Sequence, residues 1–224
     1  MYVSGDGAGR MVLASGSPRR RELVSAFVPP FTAIAPQVEE TPRRSEESPE
    51  DLVLRLSLEK ATWPAGRSGA ATVLGADTVV VLDGEVLGKP AGPREATHML
   101  ARLRGRTNRV VTGVTVLDGR SGRWLASAKT SHVAMRKYAD AEVAAYVASG
   151  DPMDKAGSYA VQHDGFNPAV RVDGCYLNVV GLPLCEVVTL MRDMGSPVRL
   201  RDGWRPPSRC ADCPLANRRE AASP

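Results

Sequence analysis

The stretch MVLASGSPRRRELV, residues 11–24, decides the fold class, because it sets a short apolar run directly against a helix start. Arg10 to Ala14 has the apolar content of a short buried strand. Ser17 followed by Pro18 pairs a capping hydroxyl with a proline at the first helical position. A strand that turns at once into a helix is a unit from which α/β proteins are assembled. Serine hydroxyls precede the exposed amides of that helix start and Arg19 and Arg20 follow them, which makes an anion site with phosphate as its natural guest.

The same logic extends along the chain. Phe31 to Val38 predicts a second strand that ends in Glu39-Glu40. Ser48-Pro49 repeats the cap and proline start, with Leu52, Val53, Leu56 and Lys60 at helical spacing before a stop at Pro64. Thr72 to Gly75 predicts a third strand leading into Ala76-Asp77-Thr78 and then Val79 to Leu82. Asp83-Gly84 is a hairpin turn with Glu85 to Pro90 as the return arm. Further elements are a helix over Pro93 to Leu103, strands over Arg109 to Leu117 and Trp124 to Met135, and a helix over Ala139 to Ala148. A glycine-rich segment from Asp154 to Pro183 precedes a closing helix over Leu182 to Met194. The expected architecture is one α/β body, residues 1–195, with an elongated mixed sheet flanked by helices. Residues 1–9 are expected to be a flexible leader, and 196–224 a Pro/Arg-rich appendage carrying a CxxC.

Composition narrows the function classes. The 224 residues are 43% hydrophobic and 24% charged, the balance of a globular protein, and no apolar run is long enough for a membrane helix or a secretory signal. The cytoplasm is the expected compartment. Net charge is +4, but from Ser196 onward six arginines face Asp202, Asp212 and Glu220, so the tail carries most of the excess. A body close to neutral argues against nucleic acid as a partner. Four cysteines at 175, 185, 210 and 213 are too few for a disulfide scaffold, and Cys210-x-x-Cys213 lacks the second ligand pair of a zinc site.

Chemistry-bearing residues gather at strand ends and helix starts, where α/β folds place ligands. They are Ser15 to Arg20, Glu39-Glu40, Asp77-Thr78 with Lys89, and Lys155 to Gln162. Arginines and lysines suit phosphate oxygens, carboxylates suit a hard cation or an attacking water, and a glutamine suits a base edge. Asp77 stands out, since a carboxylate set between two apolar strand runs is costly unless it has work to do. The inventory is that of a nucleotide hydrolase.

Several segments together resemble the Maf family of nucleoside triphosphate pyrophosphatases: LASGSPRRRELV at 13–24, VEE at 38–40, LRLSLEKA at 54–61, GADTVVVLDGEVLGKP at 75–90, DPMDKAGSYAVQ at 151–162 and NVVGLPL at 178–184. The resemblance implies a fold like that of Maf and inosine triphosphatase proteins. It also implies hydrolysis between the α and β phosphates of a nucleoside triphosphate, with Mg2+ or Mn2+, in a homodimer. Carried over by position, it makes Asp77 the proton acceptor, and Glu40 with Asp77 the metal ligands. Ser15, Ser17, Arg19, Arg20, Lys60, Thr78, Lys89, Lys155 and Gln162 become substrate contacts. GADT and YAVQ resemble the branch acting on dTTP and UTP. His163, where the family has glycine, and the altered loop 164–168 leave the preferred base open. The alternatives are a 7-methyl-GTP pyrophosphatase of the same family and a non-catalytic nucleotide-binding regulator of cell division.

Overall fold

The structure is a computed structural model that describes residues 11–39, 41–65 and 72–210. Its centre is a seven-stranded mixed sheet. In spatial order the main path runs β3 (Phe31–Ile34), β1 (Met11–Ala14), β4 (Thr72–Leu82), β6 (Thr107–Asp118), β7 (Trp124–Met135) and β8 (Ala169–Asp173), with β5 (Glu85–Leu87) paired to β4. β1 is parallel to β3 and β4, and every other pairing in this sheet is antiparallel. A two-stranded ribbon joins β2 (Phe27–Val28) to β9 (Arg199–Leu200).

The helices cover both faces. α2 (Pro49–Ala65) lies on one, where Leu52, Val53 and Leu56 pack with Val79, Val81 and Val111. α1 (Pro18–Val24), α3 (Pro93–Leu103), α4 (Asp140–Ala148), α5 (Tyr176–Val180) and α6 (Leu184–Asp193) complete the helices. The other face of the sheet carries the larger core, in which Leu74, Ala76, Val80, Val110 and Val114 meet Leu100, Leu103, Val143, Leu177, Leu184 and Met191. No described helix is long and apolar enough to cross a membrane.

α2 sits unusually close to the sheet, and two glycines are the reason. A Cβ on Gly75 would fall 2.2 Å from the Ser57 carbonyl oxygen, and one on Gly113 would fall 2.3 Å from that of Val53. Both glycines border Asp77, Gly75 two residues before it and Gly113 directly across the β4/β6 ladder. The helix can therefore descend onto this patch, and Ser57 Oγ reaches Thr115 Oγ1 at 2.7 Å.

The sequence reading needs four corrections here. β4 is one continuous strand through Ala76-Asp77-Thr78, because the ladder to β6 accepts Asp77 opposite a glycine. The strand expected over Phe31 to Val38 stops at Ile34. β8 and α5 lie inside the glycine-rich segment, where short lengths gave no periodicity to find. Finally, contacts do not end at residue 195. Val198 is buried, β9 pairs with β2, and Arg201 N donates to Ala26 O at 2.7 Å. The leader, Cys213 and the chain end lie outside the described residues.

Candidate active site

The cleft arises from a gap in strand pairing. On one edge β4 is bonded to β1 only as far as Gly75, and to β5 only from Val80 onward. Along Ala76 to Val79 that edge has no strand partner among the described residues, and a cleft of about 590 Å³ opens there. This volume falls within the roughly 300–1,000 Å³ of small-molecule sites.

Arg20 closes part of the gap. Its Nη1 donates to the Ala76 carbonyl at 2.8 Å, Nε to the Gly181 carbonyl at 2.8 Å and Nη2 to Thr78 Oγ1 at 2.9 Å. The guanidinium thus stands in for a missing strand and ties β4 to the α5–α6 corner. Thr78 in turn shares a hydrogen bond with Thr112 Oγ1 at 2.9 Å. Ser17 caps α1 as expected, accepting from Arg20 N at 3.4 Å, and Ser15 Oγ accepts from Ser17 N at 3.1 Å. Both serine hydroxyls hold the shape of this turn as well as lining the cleft.

On the α2 side, Lys60 Nζ donates to Asp77 Oδ1 at 2.5 Å, and both residues are buried. Isolated, either charge would be expensive at that depth; together each satisfies the other. The approach of α2 permitted by Gly75 and Gly113 is what brings Lys60 within reach.

The opposite wall comes from the segment after α4. Lys155 is buried and donates to Asp151 O at 2.5 Å, Asp151 Oδ1 at 3.0 Å and Asp154 Oδ1 at 2.7 Å. Arg19 Nη1 meets Asp154 Oδ2 at 3.2 Å. Burial pushes the Asp154 carboxyl up, but hydrogen bonds from Lys155 and Arg19 and the charge of both more than offset it, leaving it below the usual carboxylate range. Asp151 behaves alike: burial raises it, and the Tyr146 hydroxyl and Lys155 lower it further still. Lys89, on the return arm of the hairpin, and Gln162 are exposed at the cleft.

The expected proton acceptor and substrate contacts all border one cleft, namely Ser15, Ser17, Arg19, Arg20, Lys60, Asp77, Thr78, Lys89, Lys155 and Gln162, whereas Glu39 is not in its lining. Glu40 lies outside the described residues. Sequence reasoning missed Arg43 and Asp154, which also line the cleft. Arg43 sat in an undistinguished polar run, whereas Asp154, next to Lys155, could have been found by asking what a buried lysine would pair with. The lining holds Arg19, Arg20, Arg43, Lys60, Lys89 and Lys155 against Asp77 and Asp154, so the described wall is strongly cationic. Such a wall favours a polyanion. His163 packs its ring edge-on to Tyr146, with centroids 4.8 Å apart, and its Nδ1 accepts from Phe166 N at 2.9 Å. The departure at 163 is thereby folded into its own loop and is not part of the cleft lining.

The segment bearing Arg43 is anchored by an ion pair. Arg55 on α2 donates twice to Glu47, at 2.7 and 2.8 Å, and also to Thr41 Oγ1 at 2.6 Å. Those hydrogen bonds hold the Glu47 carboxyl down at about 2. A carboxyl depressed in the folded state contributes stability that is present above its unfolded value near 4.5 and is lost as pH falls toward 2. The melting temperature is expected to decline through that window, and Glu47→Gln to flatten the decline. Calorimetric melts across the window check this, and an unchanged slope in the variant would remove Glu47 from the account.

Comparison with known proteins agrees with this architecture. The model of the family described as Maf-like protein matches residues 10–194. A protein named dTTP/UTP pyrophosphatase from Geobacter metallireducens is 45% identical over 187 residues, covering 84% of this chain and 97% of that protein. One of the same name from Geobacter sulfurreducens is 44% identical, over 84% of this chain and 98% of its own length. Another so named, from Dehalococcoides mccartyi, is 40% identical over 91% of this chain and 90% of its own. The family match spans the sheet, both helical layers and every described residue of the strand-gap cleft named above, and on that ground the chain belongs to the Maf family.

Proposed function

We propose that this protein hydrolyses dTTP and UTP between the α and β phosphates, releasing the nucleoside monophosphate and pyrophosphate. The observation that carries the reading is the buried Lys60–Asp77 pair set at the unpaired edge of β4, within a cleft whose charged lining is mostly cationic. Relatives 40–46% identical that bear the name dTTP/UTP pyrophosphatase support the same substrate class.

Cleaving a phosphoanhydride asks for two things: a positioned water and neutralisation of charge on phosphoryl oxygens. Arg19, Lys89 and Lys155 supply positive charge for the phosphates, and Asp154 holds Arg19 and Lys155 in place before substrate arrives. Arg20, bonded to the Gly181 and Ala76 carbonyls and to Thr78 Oγ1, ties β4 to the α5–α6 corner and fixes Thr78. Asp77 orients the attacking water and accepts its proton, while Lys60 holds the carboxylate in position.

The Mg2+ or Mn2+ implied by the resemblance fits the donor set. Asp77, held at Oδ1 by Lys60, lines the cleft and is a hard oxygen donor of the kind such a cation takes. No group of three ligating side chains exists among the described residues, so the cation would be held jointly by Asp77 and substrate phosphates, with Glu40 as the further ligand implied by sequence. When bound, such a cation withdraws electron density from the phosphoryl group under attack.

A phosphate-release assay with added inorganic pyrophosphatase, run across a panel of triphosphates, tests the reading. dTTP and UTP should rank first, and turnover of none would leave only a binding role. Gln162 offers a donor and an acceptor at the open end of the cleft, suited to the edge of a uracil or thymine ring. Gln162→Ala is expected to reorder the substrates more than it lowers the best rate. An equal loss on every triphosphate would contradict that role. The proposal includes a homodimer working in the cytoplasm, and sedimentation velocity at micromolar concentration tests the assembly.

A further inference from the structure

The end of the chain that the sequence marks as an appendage is tied to the body near both walls of the cleft. It lies beyond the family match, which stops at residue 194. Val198 is buried, Leu200 of β9 pairs with Phe27 of β2, and Arg201 N donates to Ala26 O at 2.7 Å. This first anchor sits on the chain that directly follows α1, the helix that carries Arg19 and Arg20. Farther on, Trp204 packs against the main core, and Cys210 is buried in it at the end of a single 3₁₀ turn, Ser208–Cys210. That turn delivers Arg209 to the other wall.

Arg209 Nη1 donates to the Val161 carbonyl at 3.3 Å, and its guanidinium carbon lies 5.9 Å from the centre of the Tyr176 ring at the start of α5. A guanidinium within about 6 Å of an aromatic face is attracted to it, so the same group is steadied by α5 while it bonds the turn. The Val161 carbonyl is half of a planar peptide unit whose other half is the Gln162 nitrogen. Its neighbours have their ties within the body. Tyr159 Oη donates to Asn108 Oδ1 at 2.9 Å, Ala160 N to Tyr146 Oη at 3.0 Å and His163 N to Ala160 O at 3.1 Å. The tie at Val161 O comes from the end of the chain. Gln162 is exposed at the cleft, so the aim of its side chain depends on the backbone that carries it rather than on packing.

We propose that Arg209 is a positioning residue that fixes the peptide unit behind Gln162 and, through it, the selectivity of the cleft for the base. This rests on the assignment of Gln162 to the base edge of a nucleoside triphosphate. Losing the hydrogen bond leaves the cations for phosphate and the Lys60–Asp77 pair in place. It frees the turn at Val161-Gln162, and a side chain that samples several directions both holds the correct base less well and rejects the wrong one less well. The effect therefore falls on KM and on substrate ranking, and not on kcat.

Arg209 is exposed, so Arg209→Ala in the full chain should fold as the parent does, and a thermal melt checks it. Kinetics across a panel of triphosphates are expected to show KM for dTTP and UTP raised about fivefold, the net worth of roughly one hydrogen bond, with kcat within about twofold of the parent and a narrower spread between substrates. Arg209→Lys keeps a donor and should recover part of the KM. In the Gln162→Ala background, Arg209→Ala should change the ranking no further, because the two residues act in series. Unchanged KM and ranking in Arg209→Ala, an equal loss of kcat on every triphosphate, or a full additional effect in the Gln162→Ala background would overturn the proposal. Hydrogen exchange over residues 159–163 reads the turn apart from turnover: faster exchange in Arg209→Ala is expected, and unchanged exchange would overturn the hold. If exchange quickens but Gln162→Ala by itself leaves the ranking unchanged, the base assignment of Gln162 fails and the selectivity role with it. If exchange is unchanged while Gln162→Ala reorders the substrates, the base assignment stands and the role of Arg209 fails.

Discussion

Asp77→Asn is expected to lower kcat on UTP by about 10²–10⁴-fold, the usual worth of a positioned general base. Asparagine keeps the shape of the side chain and still offers an oxygen to Lys60, so α2 should remain seated on β4. What disappears is the negative charge. The water loses its proton acceptor, and the buried Lys60 ammonium loses its counter-charge, which in the limit of a fully unpaired charge costs about 3–5 kcal/mol. Asparagine should cost less than that limit. Binding of UTP without the divalent cation is expected to hold or tighten, because a carboxylate beside a triphosphate repels it and an amide does not. Calorimetric titration with UTP and a thermal melt of the variant separate these effects. Turnover near the parent rate would remove Asp77 from the chemistry.

Gly75→Ala is expected to cost about 3 kcal/mol, at the upper end of ordinary overpacking. The added Cβ would lie 2.2 Å from the Ser57 carbonyl oxygen and 2.9 Å from both the backbone nitrogen and the Cβ of Ala61. None of these is the yielding tip of a long side chain, so relief requires α2 to lift from the sheet. Lifting the helix also withdraws Lys60 from Asp77, and kcat/KM should fall by about tenfold or more as the carboxylate loses its fixed position. Gly84→Ala is the contrasting control: its φ of +82° strains the backbone, but nothing lies within 4 Å of the added methyl. That change should cost only about 1–2 kcal/mol and leave the rate intact. Equal melting temperatures for the Gly75 variant and the parent would show that close approach of α2 is not what seats the pair.

Local chemistry explains which parts were legible in advance. Ser17-Pro18 and Ser48-Pro49 mark helix starts through interactions within one turn, and α1 and α2 begin where those signals place them. Pro93 to Leu103 carries its own amphipathic pattern, and α3 has those bounds. By contrast, the continuity of β4 through Asp77 depends on Gly113 across the ladder and on Lys60 from α2, and neither neighbour is visible from residues 76–78. Apolar content in Tyr159-Ala160-Val161-Gln162 does not make a strand there. Tyr159 turns inward to donate to Asn108 Oδ1 at 2.9 Å, and the segment folds as a turn and not a strand. The Arg-rich end looked like an appendage because its anchors are long-range, including Arg209 donating to Val161 O at 3.3 Å beside Gln162.

Residue types identified the cleft better than they identified individual roles. Arg19, Arg20, Lys60 and Lys155 were all legible as cations for phosphate, yet the structure divides their labour. Arg20 is built into the frame of β4, Lys60 serves Asp77, and Arg19 with Lys155 is held by Asp154. Hydrogen-bond partners assign those tasks, and partners lie far away in sequence.

Hydrolysis of UTP in water enriched in the heavy oxygen isotope, with the products separated and weighed, tests the central claim most directly. Water oriented by Asp77 against the α phosphorus predicts UMP and pyrophosphate as the products, with the heavy oxygen carried by UMP. Heavy oxygen in the pyrophosphate, or UDP and orthophosphate as products, would contradict the account.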